Sequence, residues 1–249
     1  MRTVVVGASS GLGRCIGVGL GQRGHEVALL ARRRDRLVEA AKEAGPGTLA
    51  IACDVTDKDA CQAAIEEAAK GLGGIDALVY PPGIGPLARL VDLDRATWHR
   101  AFDTNVIGAS LITAAAIPYL TESKGSAVYL SSISATLTDP WPGLGAYAVS
   151  KAALNKLVEA WQVEHPTVRF TRITVGNCVG GEGPSTTEFP KDWDPRLSAE
   201  VHPIWIAKGY ISDAFVDVED LVQVVYTVLQ SGASVPSVTV TGQSKAAAS

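Results

Sequence analysis

Short, unbroken apolar runs alternate with longer amphipathic ones from the start of the chain to about residue 175. The runs TVVVGA, EVALLA, TLAIACD, DALVY, SAVYLS and VRFTRITV are continuous and rich in Val, Ile and Leu, the pattern of strands covered on both faces. Between them, GRCIGVGLGQR, RDRLVEAAKEA, KDACQAAIEEAAKG, RATWHRAFDTNVIGASLITAAAIPYL and AYAVSKAALNKLVEAWQVE carry helical spacing. Strand–helix alternation of this kind predicts an α/β fold, a doubly wound parallel sheet with helices on both faces and right-handed crossovers. No long polar linker precedes residue 176, so the 249 residues read as a single domain.

From Gly176 to about residue 216 the periodicity fails. The stretch GNCVGGEGPSTTEFPKDWDPRLSAEVHPIWIAKGY mixes Gly and Pro punctuation with Phe189, Trp193, Trp205 and Tyr210. An irregular segment of this length inside a compact domain is usually functional, and its aromatics need an apolar surface to fold against, so residues 176–216 read as a substrate-binding lid. The run VEDLVQVVYTVLQ then restores a helix and SVTVTG a last strand, while the tail QSKAAAS reads as frayed.

Composition narrows the function classes. A formal net charge of −4, with no basic stripe, argues against nucleic-acid binding. The four cysteines, Cys15, Cys53, Cys61 and Cys178, form no CxxC pair, and His25, His99, His165 and His202 are scattered, so no metal site is expected. Reduced thiols and the lack of a legible export signal point to the cytoplasm. The most apolar long stretch, VIGASLITAAAIPYL, is shorter than a membrane span of about 20 residues and reads as a buried helix.

The first strand runs into VVVGASSGLGRCIG, which places Gly7, Gly11 and Gly13 between a strand and a helix. There the backbone has to turn tightly, approach a ligand closely and then pack a helix on the sheet, and glycine permits each. Exposed N–H groups and the positive helix end favour a pyrophosphate, so Gly7, Ser9, Ser10, Gly11, Leu12 and Gly13 are candidate nucleotide contacts in a Rossmann-type unit. Such a unit would carry an acidic residue near the end of the second strand to take the ribose hydroxyls. Here Ala31 is followed by Arg32, Arg33 and Arg34, whose planar forks would instead pair with a 2′-phosphate. Arg32, nearest the strand end, is the first choice and Arg33 the second, which favours NADP(H) over NAD(H). Past the third strand, Asp54 and Val55 in CDVTD could contact the adenine ring, although Asp54 could equally cap the next helix, as could Thr56 or Asp57.

In GAYAVSKAAL, Tyr147 and Lys151 stand four positions apart and share one helix face. With Gly7, Gly11 and Gly13, then Asp54, Asn105 and Tyr147-xxx-Lys151 in this order, the chain resembles the short-chain dehydrogenase/reductase family over most of its length. The resemblance implies that Tyr147 handles the substrate proton, Lys151 lowers its pKa and binds the nicotinamide ribose, and Asn105 completes a proton relay through water. It also implies a serine that holds the substrate oxygen. The strand-end pair in YLSSISATL indicates Ser132, but Ser134 has the more typical spacing to the tyrosine and Ser131 also lies near.

The tyrosine's implied task is physically reasonable. A phenol of pKa about 10 has to fall by roughly 3 units to work near neutrality, about 4 kcal/mol. An ammonium about 5 Å away at an effective dielectric near 20 supplies about 3 kcal/mol of that. The family's NNAG after the fourth strand is here Tyr80-Pro81-Pro82-Gly83, so two asparagines and an alanine are replaced while Gly83 remains, and the two prolines stiffen the turn and remove donors that the adenosine ribose would use. The expected activity is hydride transfer between NADP(H) and a small-molecule carbonyl or secondary alcohol, in the direction of carbonyl reduction, by a homodimer or homotetramer. Two other readings stay open: a non-catalytic nucleotide-binding redox sensor or scaffold, and an isomerase or dehydratase that retains its nicotinamide.

Overall fold

The continuous apolar runs become strands because successive side chains go to opposite faces and both faces are covered. In the first strand Val4 and Val6 enter one core and Val5 the other. In the second, Ala28 and Leu30 oppose Val27, Leu29 and Ala31 in the same way. The computed structural model describes residues 1–211 and 214–243. The strands are β1 (Arg2–Val6), β2 (Glu26–Ala31), β3 (Leu49–Ala52), β4 (Ala77–Tyr80), β5 (Ser126–Ser132), β6 (Arg169–Val175) and β7 (Ser237–Val240). They form one seven-stranded sheet in the order β3-β2-β1-β4-β5-β6-β7, every neighbouring pair parallel.

Helices α1 (Gly11–Gln22) and α2 (Arg34–Ala44) cover one face together with α8 (Val218–Gln230), through Ile16, Leu20, Leu37, Leu221 and Val225. The other face is covered by α3 (Lys58–Leu72), α5 (Gly108–Ser123) and α6 (Gly145–Glu164), through Ile65, Ala68, Ile112, Ala116 and Leu154. The chain leaves β1 toward β2 and β3, then returns to place β4 on the other side of β1. At such a reversal the connections depart to opposite faces and leave a crevice at the carboxyl ends of the strands. The amphipathic periods predicted α2 and α8 residue for residue.

Two elements differ from the sequence expectation. The helical pattern expected from residue 95 to 120 is one helix of 29 residues, Arg95–Ser123, and what differs is a π turn inside it. Its Ile112, Ala116 and Leu120 are fully buried, as expected of a core helix. It comprises α4 (Arg95–Phe102), a π turn at Asp103–Ile107 and α5, and the π turn carries Asn105. The second difference lies in the 176–216 segment, of which 212 and 213 fall outside the described residues. It contains a regular helix, α7 (Pro195–Ala207). Asp194 caps it by accepting from the Arg196 and Leu197 amides, and Pro195 sits in the first turn, where its missing N–H costs nothing. Pro203 inside the helix obscured the period.

The aromatics of this segment do fold against an apolar surface. Trp205, Tyr210, Val201, Leu87 and Leu144 form a third core, with Phe189, Trp193, Trp141 and Tyr147 packed against it. That cluster stands over the carboxyl ends of β4 and β5. The tail beyond Gln243 lies outside the described residues.

Candidate active site

The turn after β1 is shaped by close backbone approach. Gly7 has φ +70°, and a Cβ there would meet Pro82 Cγ at 2.8 Å. A Cβ on Gly13 would run into the Gly7 carbonyl oxygen, so α1 packs against the turn only with glycine at that place. Ser10 occupies the N-cap position of α1 without making the cap bond. Its hydroxyl instead accepts from Arg33 Nη2 at 2.8 Å, and the Ser9 hydroxyl accepts from the same nitrogen at 2.9 Å. Leu12 turns inward and packs against the core. Arg33, rather than the exposed Arg32, therefore reaches the glycine turn.

At the end of β3, Asp54 Oδ1 accepts from the Thr56 amide and hydroxyl and closes a local turn. The cap of α3 is Asp57, which accepts from the Asp59 and Ala60 amides. The cap role thus falls to Asp57 and not to Asp54. Val55 packs against the core beside Gly108.

Tyr147 and Lys151 lie one turn apart on α6, both pointing toward Gly83. A Cβ on Gly83 would sit 2.9 Å from Lys151 Nζ and 3.8 Å from Tyr147 Cε2. Lys151 is buried, and its ammonium donates to the Leu130 carbonyl at 2.8 Å and the Pro82 carbonyl at 3.1 Å. Pro82, which stands where the family has an alanine, thus supplies both a ring against Gly7 and a carbonyl for Lys151. Burial lowers the Lys151 pKa to about 7. Burial raises that of the Tyr147 phenol, and a hydrogen bond with the Ser132 side chain works in the opposite direction. Desolvation dominates both groups, and the ammonium is directed at two carbonyls.

Ser132 ends β5 and faces Tyr147. Ser134 is buried behind it, its hydroxyl 3.0 Å from that of Ser132 and its amide donating to the same oxygen. The Ser131 hydroxyl is buried within the fold. Of the three serines, Ser132 is the one brought to the tyrosine.

Asn105 is fully buried and fully engaged. Its Oδ1 accepts from the Ile84 amide at 2.8 Å, and its Nδ2 donates to the Ile84 carbonyl at 2.9 Å and the Ser150 hydroxyl at 2.8 Å. Ser150 in turn donates to the Tyr147 carbonyl. The asparagine side chain thus fastens the loop after β4 to α6, and it does not contact Lys151 directly. The π turn that presents Asn105 is held by Tyr80, whose buried hydroxyl donates to the Thr104 carbonyl at 2.6 Å. Neither Ser150 nor Tyr80 was singled out for this role from sequence, although Ser150 directly precedes Lys151.

The 176–216 segment covers the site. Phe189 stands edge-on to Tyr147 with ring centroids 4.9 Å apart, and Trp193 donates its indole N–H to the Gly85 carbonyl at 2.8 Å. Thr187 lies against the turn, its Cα 3.5 Å from the place of a Cβ on Gly11. Glu188 pairs with Arg33 and Arg36.

These groups fit a dinucleotide in kind. The crowded glycine turn has room for backbone alone, the two serine hydroxyls and the Arg33 fork offer hydrogen bonds to phosphate, and Lys151 waits beside Tyr147 at the far end. Thr186–Phe189 lies across the course between those ends. No group of His, Cys, Asp and Glu among the described residues could hold a metal ion.

Comparison with known proteins agrees with this architecture. The family model for short chain dehydrogenases matches residues 2–189. The chain is 33% identical to 11-beta-hydroxysteroid dehydrogenase 1A of Arabidopsis thaliana over 195 residues, 72% of this chain and 55% of that protein. It is 37% identical to a short chain dehydrogenase of Pseudocercospora fijiensis over 166 residues, 65% and 53% of the two chains. The chain thus spans about half the length of these relatives. A short-chain type dehydrogenase/reductase from Mycobacterium marinum superposes with a TM-score of 0.80 at 27% identity, covering 96% of this chain and 92% of that one. With the glycine turn, the Tyr147–Lys151 pair and the sheet order in place, the chain belongs to the short chain dehydrogenase family.

Proposed function

We propose that the protein is an NADP(H)-dependent oxidoreductase that reduces the carbonyl group of an apolar small molecule. The observation that carries the reading is the meeting of the Tyr147 phenol with the Ser132 hydroxyl, beside Lys151, at the carboxyl ends of β4 and β5. When bound, the nicotinamide supplies or takes the hydride. Tyr147 donates a proton to the substrate oxygen, and Ser132 orients that oxygen by hydrogen bonding to it. Lys151 presents its ammonium at the same end of the site, and Asn105 keeps the loop around Gly83 in register with α6.

Two features support the finer parts. The phosphate preference rests on Arg33, which follows β2 and whose guanidinium reaches Ser9 and Ser10 in the glycine turn, while β2 itself ends in Ala31 and not in a carboxylate. The apolar substrate rests on the wall beside Tyr147, made by Phe189, Trp193, Trp205, Trp141 and Leu144. The relatives named hydroxysteroid dehydrogenase and the bovine 3-ketodihydrosphingosine reductase, 34% identical over 225 residues, fit the same substrate class.

The test is NADPH consumption with a panel of apolar ketones and aldehydes. The wild-type protein consumes NADPH with at least one of them, and Tyr147→Phe loses turnover by about 10²–10⁴-fold while keeping NADPH affinity. Ser132→Ala lowers turnover more than Ser134→Ala. Full turnover in Tyr147→Phe, or tight NADPH binding without turnover on any carbonyl, overturns the reading.

A further inference from the structure

Glu188 marks the point where the covering segment meets the end of β2. Arg33 Nη1 donates to both of its carboxylate oxygens at 2.7 Å, Arg36 donates to one of them, and Lys191 Nζ lies 3.6 Å away. The remaining Arg33 nitrogens go to Ser9 and Ser10 in the glycine turn. A single fork thus joins the nucleotide turn to the segment that covers it. The carboxylate is held at a pKa of about 2, first by the hydrogen bond from Arg33 and then by Arg36. From there the chain passes Thr187 over Gly11 and sets Phe189 on Tyr147, so one four-residue piece runs from the arginines to the catalytic tyrosine. A pocket of about 300 Å³, lined by Arg36, Glu39, Gly183, Thr186, Thr187 and Glu188, opens beside the ion pair.

A carboxylate between two guanidinium groups occupies the kind of seat that a phosphomonoester fills better, having more charge and three acceptor oxygens. A ribose hydroxyl offers neither. A ligand shifts a two-state segment only by its differential affinity for the two states. A 2′-phosphate can replace Glu188 with both arginines still satisfied, whereas a 2′-hydroxyl leaves them unpaired once Glu188 departs.

We propose that Glu188 is an internal latch and specificity-determining residue: it occupies the anion seat of Arg33 and Arg36, so that a nucleotide bearing a 2′-phosphate releases the segment and one bearing a 2′-hydroxyl does not. The inference rests on the NADP(H) reading above.

The test uses the full chain with two fragments that lack the nicotinamide, adenosine 2′,5′-bisphosphate and adenosine 5′-phosphate. Binding is measured by calorimetry and segment release by tryptophan fluorescence, because Trp193 packs on Phe189 and bonds to Gly85. The bisphosphate is expected to change the wild-type fluorescence and the monophosphate to leave it unchanged. Glu188→Gln is expected to show the released fluorescence without ligand and to bind the bisphosphate about tenfold more tightly, with adenosine 5′-phosphate unaffected. Glu188→Asp, which keeps the charge, is expected to restore most of the wild-type behaviour. If Glu188→Gln leaves both affinities and the fluorescence unchanged while the wild type still prefers the bisphosphate, the latch is wrong and the NADP(H) reading stands. If the wild type binds both fragments equally, the NADP(H) reading fails and the latch with it.

Discussion

Phe189 stands edge-on to Tyr147, with ring centroids 4.9 Å apart and planes at 69°. An aromatic from the covering segment therefore sits against the residue that would work on the substrate, and the two cannot both be served at once. Phe189→Ala uncovers the phenol. Since burial is the leading cause of its raised pKa, the value is expected to move down toward 10. Ultraviolet titration of the variant against Phe189→Ala/Tyr147→Phe isolates the group. An unchanged titration would mean that another neighbour does the burying. Stability is expected to fall by about 1 kcal/mol through loss of the aromatic pair.

Tyr80 stands where the family's first asparagine would be, and its hydroxyl holds the π turn that presents Asn105. Tyr80→Phe keeps the ring and removes the donor, leaving the Thr104 carbonyl buried without it. The expected cost is about 1–3 kcal/mol in urea unfolding. Turnover is expected to drop with little change in NADPH affinity, because the loop that Asn105 ties to α6 loosens at the reactive end. A stable variant with full turnover would show that the turn is held by other contacts.

Lys151 gives the fold a pH dependence whose sign can be worked out. Its pKa is about 7 in the fold against 10.5 for the ordinary group. Between those values the unfolded chain keeps the proton and the folded chain has released it, so stability rises with pH across that window. Below about pH 7 both states are protonated and the cost of burying the charge is felt in full. Lys151→Met is expected to flatten the rise, measured as urea midpoints at several pH values between about 6 and 10. Parallel slopes in the two proteins would contradict the assignment.

Arg33 and Arg32 are separated by one position and by their reach. Only the former bonds to Ser9 and Ser10. Arg33→Met is expected to lower the ratio of NADPH to NADH affinity by about tenfold or more, the worth of one charge-assisted hydrogen bond or two. Arg32→Met is expected to leave that ratio alone. Competition calorimetry with both cofactors reads it directly, and the opposite ranking would return the role to Arg32.

Several features were legible without coordinates because they are local. Strands buried on both faces appear as unbroken apolar runs, and α2 and α8 followed from amphipathic period alone. The glycine turn and the Tyr147–Lys151 spacing are properties of neighbouring residues, so the order of residues specifies them. Tertiary structure decided matters between residues far apart in the chain. Ser132 and Ser134 differ in sequence by two positions, but only the packing of β5 against α6 tells which faces Tyr147. Arg33 became the residue at the turn through bonds to serines 23 and 24 positions away, and Glu188 reached it across 155. The helix at Pro195–Ala207 had a readable start in Asp194-Pro195, while Pro203 broke the period that would have revealed its length. A periodic pattern records which side of an element is buried, and it carries no information about which distant side chain meets it there.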